Sequence, residues 1–537
     1  MHCRPLPFRL LPHQSKLLLH FLDDYSSVSR FYPQPPKFES VLQSAKSLSY
    51  PADRRQALAK ILRRQNAAFG AGAQTGNNLA RLESGAVAIV TGQQVGLFTG
   101  PAFSIYKAVT AIKLAKEVTE AGIDAVPVFW MATEDHDLDE VRHTTFFSNG
   151  DLTKFELSPG EAAGASVGSI RLGKSVEELV DAAANLLSGE SAALLADALR
   201  QSYRAEESYG SAFGKLFATL FAEEGLILID PLDPNIHRLA APVYGKAVEN
   251  RDALNASLLN RGKELEESGF EAQVKVSTAS ALLFFSGSGE RESINFTDSK
   301  FHSGESTWDS AELLSLTKSE PEKLSANAIL RPVVQDFLLP TAASILGPSE
   351  ISYYAQSEVL YRGILGRMPA LLPRADFTLL DPKAQRLLDE YAIQVEDVWA
   401  GPQALKHRLR SANLPDPIAQ QFAEDAAQIN KILEKWGESV ARVDPTLQSS
   451  VENSRKKIAF QLENLQQRVG QAYDRKNGIL TSHEDFLNNL LYPRRALQSR
   501  ELNILPFLAR WGLSGLRKLE DHASSKNTGQ HFIVPVS

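Results

Sequence analysis

Ala86-Val-Ala-Ile-Val-Thr-Gly-Gln-Gln-Val-Gly-Leu-Phe-Thr-Gly-Pro101 reads as a short apolar strand running straight into a glycine-rich turn. An uninterrupted apolar run of this length suits a strand buried on both faces of a parallel sheet. Pro101 then falls where a first helical turn tolerates it. Ile105, Val109, Ile112 and Val118 recur at helical spacing up to Gly122, and Ala125-Val-Pro-Val-Phe-Trp130 reads as the next strand, completing a βαβ unit. Working outward, an amphipathic helix through Phe213, Leu216, Phe217, Leu220 and Phe221 precedes a third strand, Leu226 to Ile229. Leu282 to Phe285, Thr341 to Leu346, a helix from Ile351 to Leu365, and Ala370 to Pro373 continue the alternation. The pattern predicts an α/β fold, an open and mostly parallel sheet flanked by helices, with insertions between Asn149 and Leu199 and between Phe284 and Leu324. A helical lead-in from Ser15 to Ala68, interrupted at Pro33 to Pro36, comes before it.

From about Asp416 the texture changes. Polar helix formers dominate, glycine becomes rare, and Val451, Ser454, Ile458, Leu462, Leu465, Val469 and Ala472 recur by threes and fours, with one extra step of four. Asp444-Pro445 interrupts the helix, which predicts an antiparallel hairpin of Pro417 to Val443 and Thr446 to Asp474. Three segments follow: a core over 1–390, a coiled-coil arm over 391–480, and a return segment over 481–537.

The chain has 537 residues, 57 basic against 64 acidic, for a net charge of −7, and no long basic run. That balance disfavours nucleic acid as a partner. Pro5, Pro7 and Pro12 break the apolar start, which fits neither a signal peptide nor a membrane span. Cys3 is the single cysteine, so neither an intrachain disulfide nor a cysteine zinc cluster can form, and the cytoplasm is the expected compartment.

Three stretches carry chemistry. In Thr91 to Pro101, Gly92 and Gly96 let backbone amides approach an anion at a helix start, Gln93 and Gln94 add donors and acceptors, and Lys107 could reach back. The spacing matches neither the dinucleotide nor the P-loop fingerprint. The bland reading is a tight turn whose glycines only permit close packing. In Thr133-Glu-Asp-His-Asp-Leu-Asp-Glu140, His136 with Asp135 and Asp137 could work as base and partners, while Glu134, Asp135 or Asp137 could hold an amine or Mg²⁺. An N-capped acidic helix start is the alternative there. In Leu330-Arg-Pro-Val-Val-Gln-Asp336, Arg331 offers a fork for a carboxylate or phosphate, with Gln335 and Asp336 beside it. Gly347-Pro-Ser-Glu350 would open the amides of a further helix, and Arg374 follows. No residues are assigned as metal ligands.

These stretches, quoted together with Pro127-Val-Phe-Trp-Met-Ala-Thr, closely resemble the BshC family of cysteine-adding enzymes in bacillithiol synthesis. The resemblance runs nearly end to end. It implies a Rossmann-like core with inserted segments, a C-terminal coiled coil associated with homodimers, and a ligase that adds cysteine to glucosaminyl malate as the last step; because joining a free acid to an amine in water needs activation, ATP is the expected co-substrate. Gly347-Pro-Ser-Glu350 is similar to the Gly-Pro-Gly-Glu expected there, with Ser349 in place of a glycine. A nucleotidyl- or glycosyl-transferase using the same sheet edge is the rival enzyme class, told apart by whether the product is an amide or nucleotide-linked. A non-catalytic scaffold built on the hairpin ranks last, because it needs none of the coincident polar motifs.

Overall fold

A computed structural model describes residues 3–158, 164–287, 290–412, 416–477 and 479–536. The chain forms two compact units. One comprises residues 1–148, 152–379 and 499–534, and the other 149–151, 380–498 and 535–537.

The first unit is organised on a five-stranded sheet. Its strands are β1 (Val87–Gln93), β2 (Ala125–Met131), β3 (Ile227–Ile229), β4 (Thr341–Leu346) and β5 (Ala370–Pro373). All pair in parallel, in the order β5-β4-β1-β2-β3. Strand order therefore reverses between β1 and β4, the place where a doubly wound sheet leaves a crevice beyond its carboxyl ends. The strands are mostly apolar because helices cover both faces. Val87, Ile89, Ala343 and Ile345 share one cluster with Ala111, Leu114 and Val118 of α1 (Phe103–Glu120). The amphipathic segment before β3 is α2 (Tyr209–Leu220), and α3 (Pro234–Glu249) follows that strand. Two further helices, α4 (Arg331–Leu338) and α5 (Pro348–Ile364), flank β4.

One expectation is corrected. Leu282 to Phe285 lies outside the parallel sheet, within a strand, Ser280–Phe285, of a separate five-stranded antiparallel sheet. The following strand, Glu292–Thr297, pairs back on it at once, and a strand so connected makes a hairpin instead of a crossover. In the two insertions, residues 159–163 and 288–289 lie outside the described residues. A third small sheet joins Arg4–Pro7, Gln530–Pro535 and Asp376–Leu380.

The second unit contains the hairpin, α6 (Asp416–Val443) packed on α7 (Gln448–Asn477). Leu433 is buried, and Val451, Ile458, Leu462 and Val469 are partly covered. Leu465, read as a seam position, is 52% exposed, and Gln466 takes the inner side instead. After the step of four from Ile458 to Leu462 the inner stripe advances by four once more, which an α-helix of 3.6 residues per turn accommodates.

A candidate active site at the carboxyl edge of the parallel sheet

β1 ends on Gly92 and Gln93, paired with Trp130 and Met131 of β2. A side chain at Gly92 would run into Trp130, and one at Gly96 into Gly100, so these glycines permit close backbone approach. Phe98, Thr99 and Gly100 all have positive φ. Such a turn needs holding, and Asn503 Nδ2 donates to Phe98 O (2.7 Å) and Gly100 O (3.0 Å), while Tyr203 Oη accepts from Phe98 N (2.9 Å). The buried Thr91 hydroxyl donates to Ile345 O (2.9 Å), fastening β1 to β4. Thr91 and Gly96 thus build the crevice without lining it.

Gly92, Gln93 and Gln94 do line it, in a cavity of about 460 Å³, with Lys107, Trp130, Glu134, Asp135, His136, Glu140, Arg291, Arg331, Gly347, Glu350, Arg374 and Arg500. This volume is of the size that takes a small molecule. Lys107 is 2% exposed and its three ammonium protons are all used: it donates to Gly92 O (2.7 Å) and Gln93 Oε1 (2.8 Å), and pairs with Glu350. Burial draws this ammonium below its ordinary value, against the pull of the Glu350 carboxylate. Glu350 in turn accepts from Gly347 N (2.6 Å) at the start of α5. Lys107 is therefore a clamp between the two lips of the crevice.

Arg331 is held by Gln335 Oε1 (3.2 Å) and the Tyr353 hydroxyl (2.9 Å). Gln335 and Asp336 do not reach the cavity. Gln335 also donates to Asp336 (3.1 Å), which accepts from Tyr361, and burial raises the Asp336 carboxyl. They orient Arg331 from behind. Arg374 is fixed by the buried carboxylate of Asp376, which His531 Nδ1 meets from its other side at 3.1 Å.

On the facing wall, Gln94 Nε2 bridges Asp135 Oδ2 (2.7 Å) and Glu140 Oε2 (2.8 Å), offsetting their mutual repulsion. Asp135 Oδ1 accepts from His136 N (2.8 Å). Asp137 is not a lining residue. It caps the short helix Leu138–Val141 by accepting from Glu140 N (3.1 Å). Arg291 donates to His136 Nδ1 (3.3 Å) and covers the ring of Phe284 at 3.9 Å. With Nδ1 accepting, the remaining ring N–H of His136, at Nε2, is a donor. Burial lowers Arg291, opposed by the charges of Glu134 and Asp135.

The sequence motifs did not include Arg291, Tyr353 or Arg500. Arg291 comes from the antiparallel insertion and Arg500 from the return segment, and neither stands in a pattern that marks it. Arg374 was visible only as a lone basic residue. Among the described residues no group of three or more His, Cys, Asp and Glu could hold a metal, and no helix is long and apolar enough to cross a membrane.

Two family descriptions match in succession: "Bacillithiol biosynthesis BshC, N-terminal Rossmann-like domain" over residues 1–375 and "Bacillithiol biosynthesis BshC, C-terminal coiled-coil domain" over residues 377–536. The chain belongs to the BshC family. Curated relatives agree. A protein of Koribacter versatilis is 39% identical over 532 residues, covering 99% of each chain, and one of Solibacter usitatus is 36% identical over 538 residues, covering 99% of this chain and 100% of the relative. A third, from Salinibacter ruber, is 31% identical over 532 residues, covering 97% and 96%. Each bears the name "Putative cysteine ligase BshC". In this BshC-family chain the cavity's lining residues other than Arg500 fall in the stretch matched as Rossmann-like, and Cys3, whose thiol burial pushes up to about 11, does not line it.

Proposed function

We propose that this protein is a ligase that forms an amide between the carboxyl group of cysteine and the amine of glucosaminyl malate, the last step of bacillithiol biosynthesis. One observation carries the reading most: the cavity at the strand-order reversal gathers both cationic and carboxylate side chains. Arg331, Arg374 and Arg500 suit the carboxylates of malate or the phosphates of a nucleotide, and Glu134, Asp135 and Glu140 suit an ammonium group. Holding both reactants in one pocket of this size supplies the proximity that amide formation needs. A free carboxylate does not acylate an amine in water without activation, and ATP with Mg²⁺ on its phosphates is the expected source. At the start of α5 the Glu350 carboxylate already occupies the Gly347 amide, so Arg331 beside it is the group left to receive an anion. Lys107 shapes that corner, since its own protons are taken, and His136 contributes its Nε2–H as a donor. The names of the relatives and the absence of a cavity-lining cysteine support a thiol that arrives with the substrate.

A cytoplasmic location and a homodimer formed through the helical arm belong to the same proposal. Purified protein incubated with ATP, Mg²⁺, cysteine and glucosaminyl malate should give the cysteinyl amide together with ADP or AMP, identified by mass spectrometry. A nucleotide-linked product, or none, would overturn the reading.

A further inference from the structure

Behind the acidic wall a buried polar line runs from Glu134 of the Thr133 motif to His237 and Tyr244, which no motif of the sequence includes. Glu134 lines the cavity yet is only 8% exposed, and its Oε1 is buried with no hydrogen-bond partner among the described residues. His237, in the first turn of α3, brings Nε2 to 3.7 Å from that oxygen. Its Nδ1 is 3.3 Å from the Tyr244 hydroxyl, on the same helix, and both residues are buried. Burial holds Tyr244 well above its usual range, so it keeps a hydrogen that it can donate to Nδ1. In that tautomer the imidazole hydrogen sits on Nε2, facing the carboxylate. A buried carboxylate oxygen with no donor is costly, and its persistence points to a donor brought by a ligand. Trp130, on the same cavity wall, has an indole N–H that is also buried and unpartnered. The neighbouring acids are different, because Asp135 is occupied by Gln94 and backbone amides and Asp137 by its cap. His136 already accepts from Arg291.

We propose that Glu134, backed by His237 and Tyr244, seats the substrate amine and accepts its proton as the amide forms. This rests on the amide-forming reading above, with the acyl group presented as an acyl phosphate or acyl adenylate made from ATP. The amine nitrogen attacks the acyl carbon and the C–N bond forms. The bond from that carbon to the phosphate oxygen breaks, its electron pair leaving on the phosphate. Glu134 takes one proton from the bound ammonium to free the attacking lone pair, and the second proton, released from nitrogen once the C–N bond has formed, leaves with the departing phosphate. His237 and Tyr244 are positioning residues, and Trp130 is left to donate to a hydroxyl or carboxylate oxygen of the amine substrate.

Hydroxylamine provides the test, since it is a nucleophile already neutral at pH 7 and traps an activated cysteine as the hydroxamate. Full-length Glu134→Gln should lose amide formation by about 100-fold or more, the usual scale of a general base, while hydroxamate formation from cysteine and ATP stays close to that of the unaltered protein. His237→Gln should shift the ratio of amide to hydroxamate in the same direction by less, and Glu134→Asp should recover part of the loss. Equal loss of both products in folded Glu134→Gln would make Glu134 a general support of the site and overturn the assignment, as would full amide formation. Should that variant fail to fold, His237→Gln carries the same ratio test, and an unchanged ratio overturns the role. If the unaltered protein yields neither product, the ligase reading itself falls.

Discussion

At Gly92 a methyl group would stand 2.8 Å from the Trp130 carbonyl oxygen and 2.9 Å from its Cβ, closer than real side chains come. Both obstacles belong to the central sheet, so Gly92→Ala should cost about 1–3 kcal/mol, as overpacking does, read as a lowered midpoint in denaturant unfolding. Asp376 poses an electrostatic question. Burial opposes its ionisation, yet Arg374 and His531 outweigh burial and hold its carboxyl well below the usual range. A depressed carboxyl contributes stability that is present above its unfolded value and lost as pH falls through the folded one. Asp376→Asn leaves the Arg374 guanidinium buried without its counter-charge, so it should cost about 3–5 kcal/mol near neutrality. That deficit should narrow only in strong acid, which thermal unfolding followed across pH would check. A deficit independent of pH would show that packing alone is at stake.

Among the elements, the start of α5 matters most, because Glu350 serves two partners, Gly347 N and Lys107. Glu350→Gln strands a buried ammonium and should destabilise by about 3 kcal/mol or more, whereas Lys107→Met with Glu350→Gln should cost less than the two single changes added. A double-mutant cycle by denaturant unfolding decides this, additivity being the result against it. The strands of the parallel sheet were legible because burial on both faces demands an apolar run, and residues 87–90 and Ala125–Met131 show it. Leu282 to Phe285 carries a similar run for a different reason, as part of an antiparallel hairpin, and local composition does not distinguish the two.

For the whole molecule the open question is assembly. Within the hairpin Ile432 (51%), Trp436 (63%) and Phe460 (58%) remain largely exposed, more apolar surface than a solvated two-helix arm ordinarily presents. Cover by the arm of a second copy is the proposal, since closed twofold pairs are the commonest solution. Trp436→Glu with Phe460→Glu should then give a folded monomer by light scattering. A dimer that survives both changes would move the interface elsewhere.

By itself the sequence determined the alternation of strand and helix, the two-helix arm, and the motifs at Thr91, Thr133 and Arg331, because hydrophobic period, turn glycines and clustered polar residues are local signals. It also carried the family resemblance. The tertiary structure decided what each polar residue does. Lys107 turned out to be a clamp because Glu350, 243 positions away by its number, closes on it across the strand-order reversal. Asp137 was claimed by a helix cap one turn on, and Arg291 was delivered to His136 by an insertion. Glu134 and His237 meet only because β2 and β3 are neighbours in the sheet. A side chain's chemistry depends on which partners use up its donors and acceptors, and those partners are set by long-range packing that no local pattern encodes.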